Sequence, residues 1–131
     1  MEAGPRVKRG PGVLAQTRGT AGEDAAVAHL IGLGYAILGR NFKTRAGEID
    51  IVAREQKTTV FVEVKRRESL GHGTAAQFVG PSKMRRVVSA ARIYAARHGL
   101  TESLIRFDVI AIDVIDGREQ LRHHKGAFDA R

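Results

Sequence analysis

Residues 48–65 read EIDIVAREQKTTVFVEVK, two apolar runs separated by a short polar segment. The β-branched and aromatic residues in these runs predict two strands, at about 49–53 and 59–65. The polar segment between them predicts a hairpin with its centre near Gln56 and Lys57. These two strands decide where the charged residues inside them lie.

Two acids and a lysine stand inside these apolar strands. Side chains alternate between the faces of a strand, so Glu63 and Lys65 share one face. In the predicted hairpin Asp50 lies directly opposite Glu63, with Cβ atoms roughly 4.5–5.5 Å apart, and Glu48 lies opposite Lys65. A slip of one residue would move the acids to opposite faces.

The facing acids need something to compensate their charge. Two carboxylates this close repel, and one tends to keep a proton unless a cation lies between them. Mg²⁺ prefers carboxylate oxygens and commonly binds one or two acids together with substrate phosphate. The pattern therefore predicts a metal-dependent nuclease. The alternative is a surface hairpin in which Glu48 and Lys65 form a cross-strand ion pair, but apolar side chains on both faces favour burial.

Composition limits the class of protein. The 131 residues suffice for one domain, and 22 Lys and Arg against 14 Asp and Glu give a net charge of +8, which favours nucleic acid or another anionic partner. The absence of cysteine excludes disulfides, thiol chemistry and cysteine-based zinc sites. No apolar run resembles a signal peptide or a membrane span, so we expect no membrane partner and a cytoplasmic location.

The remaining pattern predicts a basic flexible tail at 1–19 and a single domain at 20–131. The predicted elements are a helix at 21–33, strands at 35–38, 49–53 and 59–65, a helix at 83–98 with Ser82 as its N-cap, and strands at 105–115 and 119–124. The order α-β-β-β-α-β-β predicts an α/β fold in which helices flank a mixed sheet.

An acid in an early helix, an Asp on one strand and Glu-x-Lys on the next resemble the PD-(D/E)XK nuclease superfamily, which has a restriction-endonuclease-like fold. Over residues 20 to about 128 the chain is similar to the YraN-type family of small bacterial proteins. The matching segments are GEIDIVA at 47–53, FVEVKRR at 61–67, RFDV at 106–109, Gly34-Tyr35, Arg40-Asn41, and Lys83 with Arg86. That family is predicted, by similarity to archaeal Holliday-junction resolvases, to be an endonuclease.

The resemblance implies a site for Mg²⁺ or Mn²⁺. Asp50 and Glu63 would be ligands, together with the backbone carbonyl of Val64. Lys65 would orient or help deprotonate the attacking water and stabilise charge on the phosphate. The substrate would be DNA, with branched DNA among the candidates, and a resolvase-like role would favour a homodimer. One departure is Ile49, which stands where the nominal signature has proline but removes no ligand.

Glu23 has two interpretations. By the resemblance it is the helix acid that completes the catalytic site and contributes to the metal. By its local sequence it is the third helical residue of a capping box that starts at Thr20. It also continues the apolar stripe of Ala26, Val27 and Leu30, which directs it towards the sheet. The two roles can coexist.

Four basic residues are candidate nucleic-acid contacts. Arg66 and Arg67 follow the Glu-x-Lys strand, and arginine suits bidentate phosphate binding. Lys83 and Arg86 begin the second helix, where backbone amides and the helix dipole favour anions. The alternative is an ordinary solvated basic surface.

Other charged residues receive weaker assignments. Glu48 supports the metal ligands indirectly, pairs with Lys65 or binds the metal directly, and Gln77 could contact water or phosphate from a loop. Asp108, in an otherwise apolar strand, is interpreted as a buried ion-pair partner rather than a ligand. The histidines show no metal-binding spacing, and His123 and His124 are interpreted as a tail pair.

The function predicted on this basis is hydrolysis of DNA phosphodiester bonds by a metal-dependent endonuclease. The main alternative is a non-catalytic nucleic-acid-binding module with the same fold, which would bind in a strongly salt-dependent way without turnover. A third possibility is a subunit that is active only inside a complex. A purely binding surface has no need to cluster carboxylates, so the acids favour the enzyme.

Overall fold

A five-stranded mixed sheet with one helix on each face organises the chain in this computed structural model, which describes residues 20–68 and 80–130. The elements are α1 (Ala21–Gly32), β1 (Ala36–Lys43), β2 (Glu48–Glu55), β3 (Thr58–Glu68), α2 (Pro81–Arg97), β4 (Ile105–Ile115) and β5 (Arg118–Phe128). The predicted fold class and element order are confirmed. The predicted tail at 1–19 and Gln77 lie outside the described residues.

The strands follow their chain order across the sheet. β1 to β3 are antiparallel neighbours, β3 and β4 are parallel, and β4 and β5 form an antiparallel hairpin. A parallel pair needs a long crossover connection, and α2 supplies it here. Neither described helix is long and apolar enough to span a membrane.

Two apolar clusters hold the helices to opposite faces of the sheet. On one face, Ala26 and Leu30 of α1 pack against strand residues that include Ile51, Val62 and Ile110. On the other face, α2 packs against the same strands through a second cluster of Val87, Ala91, Tyr94, Phe61 and Phe107. Because both faces are covered, a charged side chain on a central strand is buried unless it lies near a strand end.

The β2–β3 hairpin has the predicted register. Ile51 pairs with Val62, and Glu55 pairs with Thr58, so Gln56 and the following lysine form a two-residue loop. Gln56 has a positive φ of 55°, as two-residue hairpin loops commonly require. This register sets Asp50 level with Glu63, one position beyond the last paired residues.

Both outer strands are longer than predicted. β1 continues from the expected 35–38 to Lys43, through a register shift between Ile37 and Gly39 that breaks the alternation on which the prediction relied. β5 reaches Phe128 instead of ending at 124, and most of its residues are exposed, so it lacks a clear apolar pattern. Edge strands with one solvated side carry weak sequence signals.

The start of α2 corrects another prediction. Gly80, not Ser82, is the N-cap residue, and it makes no side-chain capping hydrogen bond. Pro81 is the first helical residue, a position that proline favours because its fixed φ suits the helix and no N–H is needed there. The helix therefore begins two residues before the predicted Lys83.

Gly47 allows α2 to approach the sheet closely. A Cβ atom at this position would lie 2.2 Å from the carbonyl oxygen of Arg86 and 2.7 Å from its carbonyl carbon. Only glycine fits between the turn before β2 and the backbone of α2 at this distance. The contact places the first turns of α2 beside the end of the β2–β3 hairpin.

Candidate active site

A cavity of about 480 Å³ lies where the first turn of α1, the ends of β2 and β3, and the first turn of α2 meet. Its described lining residues are Thr20, Ala21, Glu23, Asp50, Glu63, Val64, Lys65, Arg66 and Lys83. The cavity is therefore lined by all five residues that the resemblance implied for catalysis or metal binding. Two of the four predicted nucleic-acid contacts, Arg66 and Lys83, also line it. A second cavity, of about 540 Å³ between α2 and the end of β5, has Asp129 as the sole acid among its described lining residues.

Asp50 lies where β2 separates from β3. Its Oδ2 accepts a hydrogen bond of 2.8 Å from the backbone N–H of Val64, so the carboxylate satisfies a strand donor just beyond the end of the ladder. The alternation of β2 also shifts at this position: Ile49 and Val52 both pack on the α2 side, whereas Ile51 packs on the α1 side. The irregularity directs Asp50 into the cavity instead of into the core.

The pKa of Glu63 is raised to about 8, mainly by burial and also by the neighbouring Asp50 carboxylate, while Lys83 opposes the shift. Burial also raises the pKa of Asp50, against the hydrogen bond from Val64 and the positive charge of Lys83. The two carboxyl groups are close enough to share a hydrogen bond. Without a cation, the pair therefore holds a proton near neutral pH.

Unpaired oxygen atoms indicate what this cavity can accept. Oε1 of Glu63 and Oε1 of Glu23 are buried and have no hydrogen-bond partner. In the parts of the chain that the structure describes, no three acidic or histidine side chains are clustered closely enough to form a ready-made metal centre. Mg²⁺ needs only one or two carboxylates, since waters and substrate phosphate complete its shell. The donor set fits such a hard, partly hydrated cation.

The backbone and the side chain of Glu23 have different surroundings. Thr20 Oγ1 accepts a 3.1 Å hydrogen bond from the Glu23 backbone N–H, which is half of the predicted capping box. The Glu23 side chain does not complete the box. It lies in the cavity, where burial and the charge of Asp50 raise its pKa and a hydrogen bond from Asn41 lowers it.

Arg40 and Asn41 are site residues that the sequence analysis did not assign. Arg40 Nη2 lies 2.8 Å from Asp24 Oδ1 and 3.8 Å from Glu23 Oε1. Asn41 has a positive φ of 54° in the middle of β1. These neighbours hold Glu23 towards the hairpin acids. Local sequence gives no sign of this role, because the predicted strand ends at 38, before both residues.

The predicted nucleic-acid contacts divide into two groups. Lys83 lies inside the cavity with Nζ 3.5 Å from Glu63 Oε2, and Arg66 lines the cavity while forming an ion pair of 3.3 Å with Glu119. Arg86 is exposed one turn along α2, and Arg67 is half-buried farther along β3. Lys83 thus contacts an acid of the cavity, which the sequence did not predict.

Glu48 and Lys65 do not form the predicted opposed pair. The β2–β3 ladder ends at Ile51, and Glu48 pairs instead with Lys43 of β1. No ion pair joins Glu48 to Lys65 within residues 20–68 and 80–130. The charge of Glu48 instead contributes to the raised pKa of Asp50. The alternative of a simple surface ion pair is therefore wrong.

The prediction that Asp108 is a buried ion-pair partner is confirmed. It accepts hydrogen bonds from Arg106 at 2.8 Å and from the backbone of Gly126 at 3.0 Å, and it lies 2.7 Å from Nε2 of His123. The interpretation of His123 as a tail residue is wrong. β5 extends past it, and its side chain is buried between Asp108 and His29, whose Nε2 lies 3.1 Å away.

Comparison with known proteins assigns the chain to a family. The model of the family described as "Uncharacterised protein family UPF0102" matches residues 22–112, which include α2, all but the first residue of α1, and all three acids of the cavity. The chain is 46% identical to a UPF0102 protein of Anaeromyxobacter dehalogenans, over 92% of this chain and 90% of that protein. It is 45% identical to one of Geobacter sulfurreducens over 85% and 88%, and 38% identical to one of Persephonella marina over 86% and 93%. The chain belongs to the UPF0102 family, as the YraN-type resemblance predicted.

Proposed function

We propose that this protein is a metal-dependent endonuclease that hydrolyses phosphodiester bonds of DNA, and that its sheet is a variant of the restriction-endonuclease-like fold. The observation that carries the proposal is the convergence of Asp50, Glu63 and Glu23 with Lys65 in one cavity. Buried acids with raised pKa values and unpaired oxygens destabilise a protein, so their clustering favours a functional role over a structural one.

Asp50, Glu63 and the backbone carbonyl of Val64 would hold Mg²⁺ or Mn²⁺, and Glu23 would bind it directly or through water. When bound, the ion would neutralise the phosphate and lower the pKa of the attacking water. Binding would also remove the repulsion between the two facing carboxylates. The hydrogen bond from Val64 to Asp50 keeps that carboxylate turned into the cavity.

Lys65 would act on the reacting phosphate. Its side chain lines the cavity from the same face of β3 as Glu63. An ammonium group in this place would orient the water and stabilise negative charge on the phosphate. Because Lys65 forms no ion pair with Glu48, its ammonium group can contact the substrate.

Basic residues around the cavity mouth would bind the nucleic-acid backbone. Arg66 lies at the cavity, and Arg86 is exposed on α2 next to Gly47, in the turn that contains Arg45. The chain as a whole carries a net charge of +8. Contacts of this kind position the backbone without reading sequence, which suits recognition of DNA by its shape.

The test compares the wild-type chain with Asp50→Ala, Glu63→Ala and Lys65→Ala on labelled single-stranded, duplex and four-way-junction DNA. Each reaction contains Mg²⁺, Mn²⁺ or EDTA. We expect metal-dependent cleavage that falls at least about 100-fold in each variant. Glu102→Ala removes an exposed acid outside the cavity and should cleave normally.

Thermal unfolding of each variant separates loss of chemistry from loss of fold. Full activity in an Asp50→Ala/Glu63→Ala double variant would refute the site assignment. DNA binding that weakens steeply with salt, without cleavage in either metal, would instead establish the non-catalytic binding module.

A further inference from the structure

The packing of α2 against the sheet brings the side chain of Lys83 close to that of Glu63. It lies in the first turn of the helix, three residues before the Arg86 backbone that rests on Gly47. Its Nζ is 3.5 Å from Glu63 Oε2, and the side chains of Lys83 and Glu63 are 38% and 6% exposed. The lysine therefore reaches from the cavity mouth to a carboxylate on the cavity floor.

The ammonium group of Lys83 compensates the charge that a metal ion would otherwise compensate. It contacts one carboxylate oxygen of Glu63, while the other oxygen has no hydrogen-bond partner. A divalent cation bound to Glu63 and Asp50 would repel an ammonium group that stays within 3.5 Å of the same carboxylate. The ammonium group and the metal ion therefore compete for the charge of the same carboxylate.

We propose that Lys83 competes with the metal ion for Glu63 and, once displaced, binds a phosphate of the nucleic acid. This inference rests on the proposed function. The four-carbon stem of lysine is flexible, and its partial exposure at the cavity mouth leaves the ammonium room to swing outward. An ammonium group released beside bound phosphate gains a strong partner. Metal binding would thereby prepare the site for its substrate.

The first measurement is metal affinity without DNA. Mn²⁺ is titrated into the full-length wild-type protein and the Lys83→Met variant, and free Mn²⁺ is counted by its electron paramagnetic resonance signal. We expect Mn²⁺ to bind roughly fivefold more tightly to Lys83→Met, the equivalent of losing a competing, partly exposed ion pair.

Two control variants separate direct competition from general electrostatics. Arg85→Met removes an exposed charge from the same helix and should change Mn²⁺ affinity by less than about twofold, and Lys83→Arg should stay near wild type. Unchanged or weaker Mn²⁺ binding in Lys83→Met would overturn the proposal, as would an equal gain in Arg85→Met.

The second measurement is DNA binding in Ca²⁺ and in EDTA, with cleavage assayed separately in Mg²⁺. Ca²⁺ also prefers carboxylate oxygens. We expect the gain in DNA affinity from Ca²⁺ to be roughly fivefold smaller in Lys83→Met than in wild type. An equal gain would refute the phosphate contact. Tight Mn²⁺ binding without any cleavage would refute the proposed function. Competition at Glu63 would then still be decided by the Mn²⁺ affinities of the Lys83 variants. A wild-type protein that binds no Mn²⁺ would refute both proposals.

Discussion

Gly47→Ala should destabilise the protein because the new methyl group would collide with the backbone of α2. Its Cβ would lie 2.2 Å from the carbonyl oxygen of Arg86, whereas ordinary contacts begin near 3.4 Å, so about 1.2 Å of extra space is needed. The obstacle is main chain, which no rotamer change can move aside. The φ of Gly47 is not in the left-handed region, so the effect is steric.

Overpacking of this kind costs about 1–3 kcal/mol, which for a domain of this size lowers the unfolding temperature by about 3–10 °C. Displacement of α2 would also carry Lys83 away from Glu63, because both Lys83 and Arg86 belong to its first turns. In the proposed nuclease a shift of about 1 Å should lower the cleavage rate by about 100-fold.

The assay is thermal and urea unfolding of the Gly47→Ala variant, monitored by circular dichroism. Gly32→Ala is the matched control, because a Cβ atom at that helical position meets nothing within 4 Å. That control should unfold at the wild-type temperature or slightly above it, since alanine favours a helix more than glycine. If Gly47→Ala unfolds at the wild-type temperature, the close approach of α2 to the turn before β2 is wrong.

Two further predictions concern buried carboxyl groups. The folded pKa of Glu63, about 8, lies above its ordinary 4.5, so the native metal-free protein holds the extra proton and loses stability as pH rises through this interval. Glu63→Gln should therefore raise the unfolding temperature at pH 8 in EDTA while abolishing cleavage, and a lower temperature would contradict this reasoning. The pKa of Asp108 is shifted the other way, from 3.8 to about 2, so its carboxylate stabilises the fold above pH 3.8 and loses that contribution as pH falls towards 2. Over this interval urea unfolding should show a loss about 2 kcal/mol larger in wild type than in Asp108→Asn, which should already be less stable at pH 7. Equal acid sensitivity of the two proteins would refute the assignment.

The hairpin could be predicted from sequence because every determinant is local. Apolar runs on both sides of a two-residue loop leave one register that buries both faces, and that register was found. The positions of Asp50 and Glu63 follow from it. The local pattern could not show that β2 separates from β3 at Asp50. Because of this separation, Glu48 does not lie opposite Lys65.

The contacts that complete the cavity depend on tertiary packing. Lys83 follows Glu63 by twenty positions in the chain, and the contact between them depends on where α2 sits against Gly47. A glycine in a turn carries no local sign that a helix will rest on it. His123 was misassigned for a similar reason: β5 is largely exposed, and only the position of Asp108 on the neighbouring strand shows why this one histidine is buried.

The same sheet holds two kinds of buried carboxylate, and the difference between them separates structure from site. Asp108 is fully buried, yet it receives hydrogen bonds from Arg106, His123 and Gly126, and these partners outweigh desolvation and lower its pKa to about 2. Glu63 is almost as buried, but one of its oxygens has no partner, and burial raises its pKa to about 8. The fold gives Asp108 a full set of hydrogen-bond partners but leaves one oxygen of Glu63 without a partner, at a cavity open to solvent. This arrangement destabilises the protein, and a bound cation would remove the cost. A buried oxygen without a hydrogen-bond partner together with a raised pKa, rather than burial as such, is the physical sign of the site.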